Sequence, residues 1–123
     1  YVYKRQASMR PLSGLLSLYA INLVLYYSAE SVRRGWVNFE VWEKDMLTFS
    51  ERLVERERDD SWHYRYDDSL ARYWECRALA EQNAELLNLA WERLKRARVA
   101  CWDDPLTVEY YREFVAKYKD LVD

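Results

Sequence analysis

His63 is the only histidine in the chain, so a histidine-dependent triad or metal site would have to be built on it alone. Asp59, Asp60, Asp67 and Asp68 flank it in sequence. Such a set could hold a cation weakly, but the same composition also describes a solvated connection between helices. Cys76 and Cys101 match no metal or redox spacing. If residues 69–102 form one straight helix, these cysteines lie about 38 Å apart, whereas a disulfide needs Cα atoms within about 7 Å. Both therefore read as unbridged packing residues. Gly14 and Gly35 stand alone, so no glycine-rich loop cradles a phosphate. Arg52, Glu55, Arg56, Glu57 and Arg58 alternate in sign as a solvated helix face does. No catalytic, cofactor-binding or metal-ligating residue is assigned, and neither nucleic acid nor a small-molecule substrate is expected as a partner.

The elements that would position any site read as helices. The 123 residues include 2 Gly and 2 Pro, which disfavours a turn-rich β fold, and 50% are hydrophobic, which excludes whole-chain disorder. The length suits one domain or one small subunit. From Trp36 to Asp104 there is neither Gly nor Pro. Phe39, Trp42, Met46, Phe49 and Leu53 step by three and four, an apolar seam. A polar stretch, Asp59 to Ser69, interrupts it, with Ser69 a candidate N-cap. Leu70, Tyr73, Ala80, Ala84, Leu87, Trp91, Leu94 and Ala97 then form one stripe, with Glu92 and Arg96 paired on the other side. Asp104 before Pro105 marks the start of a last helix that buries Leu106, Tyr110, Phe114, Tyr118 and Leu121.

Charge divides the chain. Residues 1–35 carry Lys4, Arg5, Arg10, Arg33 and Arg34 against Glu30, a balance of +4, while the remainder carries −6. Between Arg10 and Glu30 no residue is charged. This run from Pro11 to Ala29 is just long enough to span a bilayer, which takes about 20 mainly apolar residues. Tyr26, Tyr27 and Trp36 sit where an interfacial aromatic belt would. Ser13, Ser17, Ala20, Val24 and Ser28 share one face, and small residues there would admit a second helix closely. Asn22 lies roughly opposite, where an amide in lipid needs a partner. The expectation is an all-α chain without an independent compact globular domain. It comprises a basic segment over 1–10, one transmembrane helix over 11–32, and a charged helical extramembrane tail over 36–123. That tail breaks near 59–69 and has its last helix from 105.

Tyr3-Lys4-Arg5, a four-residue spacer, Arg10 and Leu12-Ser13-Gly14 at the head of a single apolar run resemble the GRIM nineteen family. Its members are accessory subunits of mitochondrial respiratory complex I. Leu25-Tyr26-Tyr27 is similar to the aromatic end of that family's span. Leu53-Val54-Glu55-Arg56-Glu57-Arg58-Asp59 looks like its Leu-Leu-Gln-Ala-Glu-x-Asp segment, with Glu55-Arg56 in place of Gln-Ala. The span's usual glycines are missing, with Ile21 and Leu23 where close packing is expected, and the later Trp-x-Val-Gly segment is absent. The resemblance covers roughly residues 1–60.

The resemblance implies a non-catalytic assembly and stability subunit in the membrane arm of NADH:ubiquinone oxidoreductase. It would lie in the mitochondrial inner membrane, N-terminus toward the matrix and tail in the intermembrane space. Its partners would be other subunits of the respiratory complex and membrane lipid, with no cofactor of its own. Two alternatives stay open. One is a single-span accessory subunit of ATP synthase or cytochrome oxidase. The other is a soluble helical interaction module in which Pro11 to Ala29 forms the central, buried helix.

Overall fold

The computed structural model describes residues 10–56 and 64–122, and its side chains over 18–55 and 66–122. Among them are five α-helices: α1 (Arg10–Arg33), α2 (Phe39–Arg56), α3 (Tyr64–Glu81), α4 (Glu85–Ala100) and α5 (Pro105–Tyr118). Gly35 at φ +76° ends the connection out of α1, a conformation that costs an L side chain about 1–2 kcal/mol. The chain then reverses into α2. The sulfhydryl of Cys76 donates to the Ala29 carbonyl and the Ser69 hydroxyl to the Asn22 carbonyl, both 47 residues apart in sequence. A constant offset over seven residues means that α1 and α3 run parallel, with α2 returning between them.

α3 is the middle of the molecule. On one side Tyr66, Leu70, Tyr73 and Cys76 pack with Leu18, Ile21, Leu25 and Ala29 of α1 and Phe39, Met46 and Leu53 of α2. On the other, Ala71 and Ala78 pack with Leu87, Ala90 and Leu94 of α4 and Tyr110, Phe114 and Tyr118 of α5. Phe114 stacks on Trp91 at 5.7 Å between centroids. Asp104 caps α5 by accepting from the Leu106 N–H at 2.9 Å, and Pro105 follows where its missing N–H costs nothing.

Several expectations need correction. Among the described residues no helix is long and apolar enough to cross a membrane, so the expected span over 11–32 is replaced by a bundle helix. The physical reason is how α1 is used. Leu18, Ile21, Leu25 and Ala29 are spent on a protein core, and Glu30 and Arg33 at its end are buried in ion pairs with α3 and α5. For the same reason the expected absence of a compact domain fails, because α1 completes the core that α2 and α3 begin. The face that packs holds large residues, whereas Ala20 and Val24 of the small-residue face are exposed and Ser28 is buried. The single straight helix over 69–102 is broken at Gln82–Asn83. Gln82 adopts φ 51°, and the Asn83 side chain accepts from the Glu85 N–H at 3.0 Å. Leu106 and Leu121 of the last stripe are exposed, and Arg96 pairs with Asp67 across to α3 while Glu92 pairs with Lys95.

Candidate functional site

The densest chemistry lies where the C-terminal end of α1 meets the middle of α3. Glu30 and Arg33 stand three apart on α1, one turn of helix, and so face the same way. Arg72 and Glu75 repeat that spacing on α3 with the signs reversed. Because the helices are parallel, acid meets base twice: Arg72 Nε donates to Glu30 Oε1 at 2.8 Å and Arg33 Nε to Glu75 Oε1 at 2.9 Å. Arg33 also bridges to Glu30 of its own helix and to Glu113 of α5 at 2.7 Å. Arg72 is held by Asp68 one turn earlier. Two phenols complete the set, Tyr110 donating to Glu75 Oε1 at 2.7 Å and Tyr118 to Oε2 at 2.6 Å. The Arg72 guanidinium lies between rings, 4.5 Å from the Tyr26 centroid and 4.1 Å from that of Tyr110.

The electrostatics follow from this packing. Burial alone would raise the Glu30 carboxyl, but Arg72 and Arg33 outweigh it and hold it below the usual carboxylate value. Burial and the nearby Glu75 carboxylate push the phenols of Tyr110 and Tyr118 up, so both remain protonated donors. Burial likewise raises the Cys76 thiol to about 12, with Glu75 adding to it. A thiol so placed is protonated and a poor nucleophile at neutral pH. Glu30 and Glu75 each accept from three donors, while Asp68 and Glu113 each accept from one arginine. This arrangement is suited to locking three helices together.

The residues singled out in the sequence are dispersed. His63, Asp59 and Asp60 fall outside the described residues. Asp67, expected in a solvated loop, is fully buried in α3 and paired with Arg93 of α4 at 3.0 Å. Asp68 holds Arg72, and Ser69, expected as an N-cap, lies inside α3. Neither Cys76 nor Cys101 is in a disulfide, but the reason differs from the straight-helix argument, since α3 and α4 fold back on each other. Asn22 presents a buried Oδ1 with no hydrogen-bond partner among the described residues. Among the described residues no group of three or more His, Cys, Asp or Glu could hold a metal ion. Sequence reading missed Glu30, Arg33, Arg72 and Glu75. The available signal was the mirrored Glu-x-x-Arg and Arg-x-x-Glu spacing, but Glu92–Lys95 shows the same spacing at the surface.

A second feature lies on the outside of α1. Its turn-by-turn surface runs Tyr19, Ala20, Leu23, Val24 and Tyr27, all exposed and none charged, and Trp36 follows beyond its end. Tyr19 is 60%, Tyr27 64% and Trp36 73% exposed. A surface helix ordinarily puts charge on its outer side. Here both the buried and the open sides of α1 are uncharged from Leu18 to Ala29. A separate groove of about 390 Å³ between α2 and α3 is lined by Leu47, Val54, Leu70, Tyr73 and Trp74, with Glu51, Glu55 and Arg77 among its edges.

No family model matches this chain, and neither a curated protein nor a solved structure matches it.

Proposed function

We propose that this protein is a non-catalytic docking module, a helical bundle that holds the outer side of α1 in place for contact with another surface. The observation that carries this reading is the uncharged, aromatic outer side of α1, with Tyr19, Leu23, Val24 and Tyr27 open on a helix whose opposite side is packed. An apolar surface of this kind exposed on a small bundle marks an interaction site. The buried cluster supports the reading by fixing α1 to α3 and α5. Native electrophoresis of cells expressing the chain tests it. The wild type is expected in a membrane-bound or high-mass fraction, and Leu23→Glu at the mass of the free chain. Wild type running as free chain in every fraction would overturn the docking role.

A second reading is an accessory subunit of mitochondrial NADH:ubiquinone oxidoreductase, favoured by the ungapped match over Tyr3-Lys4-Arg5, Arg10 and Leu12-Ser13-Gly14. It makes the docking surface a site on other respiratory subunits and requires a mitochondrial location. Co-migration of the chain with NADH dehydrogenase activity on a native gel is its expected outcome. Depletion would then lower assembled complex and NADH oxidation in parallel.

A further inference from the structure

We infer that the groove between α2 and α3 receives a basic amphipathic helix of a partner protein, its apolar side chains in the groove and its cations along α2. Neither wall of the groove comes from α1. The site therefore goes beyond the docking reading above and stands or falls separately from it.

Charge selects the partner. Glu51 and Glu55 edge the groove on α2, where Leu47 and Val54 supply the apolar wall. Glu43 and Glu40 lie four and seven residues before Leu47, one and two turns along the same side of the helix. All four carboxylates are exposed, and among the described residues none of them forms an ion pair. Lys44 is the one base on this row, so its balance is −3. Arg52 follows Glu51 by about 100° of helix and does not line the groove. The facing wall does not neutralise the row, because Arg77 of α3 is bonded to Glu81 and lies over the Trp74 ring. Cations on an incoming segment meet this edge favourably.

The groove itself asks for apolar side chains presented by a helix. It has a volume of about 390 Å³, with Leu70 and Tyr73 buried in its floor and Leu47 and Val54 left 38% and 39% exposed. Its hydroxyls are already engaged. Ser50 donates to the Leu47 carbonyl at 2.8 Å, and the Tyr73 hydroxyl accepts from Arg77 at 3.2 Å. A small polar ligand would find little there to orient it. Both walls are helices, whose backbone groups bond within themselves, so an extended segment is offered no sheet edge. A helix arrives with its own backbone satisfied and aligns apolar residues at i, i+3, i+4 and i+7 with such a groove. Two copies packed groove to groove would set one acidic row against the other, and like charges across an interface oppose association.

Fluorescence anisotropy of a labelled leucine-lysine peptide, with leucine at helical spacing, tests the inference on the intact chain. The wild type is expected to bind it, and less tightly at high salt. A peptide of the same composition without that spacing should bind about tenfold more weakly, as should one with glutamate in place of lysine. Glu51→Lys/Glu55→Lys should weaken the lysine peptide about tenfold and strengthen the glutamate peptide by a similar factor. Leu47→Glu should weaken both. These side chains are exposed, so the helical circular dichroism of the variants is expected to match the wild type. No binding of the lysine peptide, or equal binding of all three peptides, would overturn the inference. So would binding that Leu23→Glu on α1 abolishes and the groove variants leave unchanged. A wild-type dimer that Leu47→Glu splits would overturn it as well, by giving the groove to a second copy.

Discussion

Arg72 concentrates the energetics of the buried cluster in one residue. It is 2% exposed, it pairs with Glu30 and Asp68, and it lies between the rings of Tyr26 and Tyr110. A buried pair adds little net stability against an apolar alternative, yet losing one partner strands the other. Arg72→Met is therefore expected to destabilise the fold by about 3–5 kcal/mol in urea titration. A loss of about 1 kcal/mol or less, the yield of an exposed pair, would mean the cluster is solvated. The pH dependence has a definite sign. Glu30 is depressed in the fold relative to its ordinary 4.5, so its contribution is present above that value. It is lost as pH falls through the lower folded value. Melting temperature should drop on acidification below about pH 4.5, and Glu30→Gln should flatten that drop while lowering stability at neutral pH. A parallel acid profile for the variant would remove Glu30 from the acid response.

At the scale of elements, two turns use left-handed backbone with different residues. Gly35 adopts φ 76°, and an added Cβ there would meet nothing within 4 Å, so the cost of Gly35→Ala is backbone strain alone, about 1 kcal/mol. Gln82 adopts φ 51° and already bears that strain. Gln82→Gly should therefore raise stability by about 0.5 kcal/mol, the opposite sign from Gly35→Ala. Chemical denaturation of both variants checks the pair. Destabilisation by Gln82→Gly would show that its side chain contributes more to the α3–α4 turn than its backbone costs. The turn also explains why one stripe could be read through two helices. Leu70 and Tyr73 share apolar spacing with Leu87 and Leu94, and Gln82-Asn83 contains neither of the residues that usually announce a break.

At the scale of the molecule, α3 belongs to both hydrophobic clusters, so neither half of the bundle can lose it independently. Leu53→Ala in α2 and Leu94→Ala in α4 lie on opposite sides of it, both fully buried. Each is expected to cost about 2–5 kcal/mol and to shift one shared transition. Fluorescence and far-ultraviolet circular dichroism should coincide for both variants. Two transitions, with Leu94→Ala moving one of them, would show that α4 and α5 unfold apart from α1–α3.

Helical character was legible because it is local. The Phe39–Met46–Leu53 seam becomes the buried side of α2, and the Asp104-Pro105 pair caps α5, since both signals depend on spacing within one or two turns. The use made of α1 was not legible. An uncharged run reads alike whether its neighbours are lipid or protein, and it was the meeting of Leu18, Ile21, Leu25 and Ala29 with α2 and α3 that decided the matter. The buried cluster was hidden for the converse reason. Asp67 reads as part of a solvated connection, and Arg72 and Glu75 carry no local mark of burial. Only the parallel placement of α1 brought opposite charges to the same depth, 42 residues apart in sequence, where each neutralises the other's cost of burial. Sequence by itself determined that the chain is helical, that its last helix starts at Asp104-Pro105, and which positions carry apolar side chains. The tertiary structure alone decided which helix is central and which charges are inside, because burial is a property of what the rest of the chain places alongside.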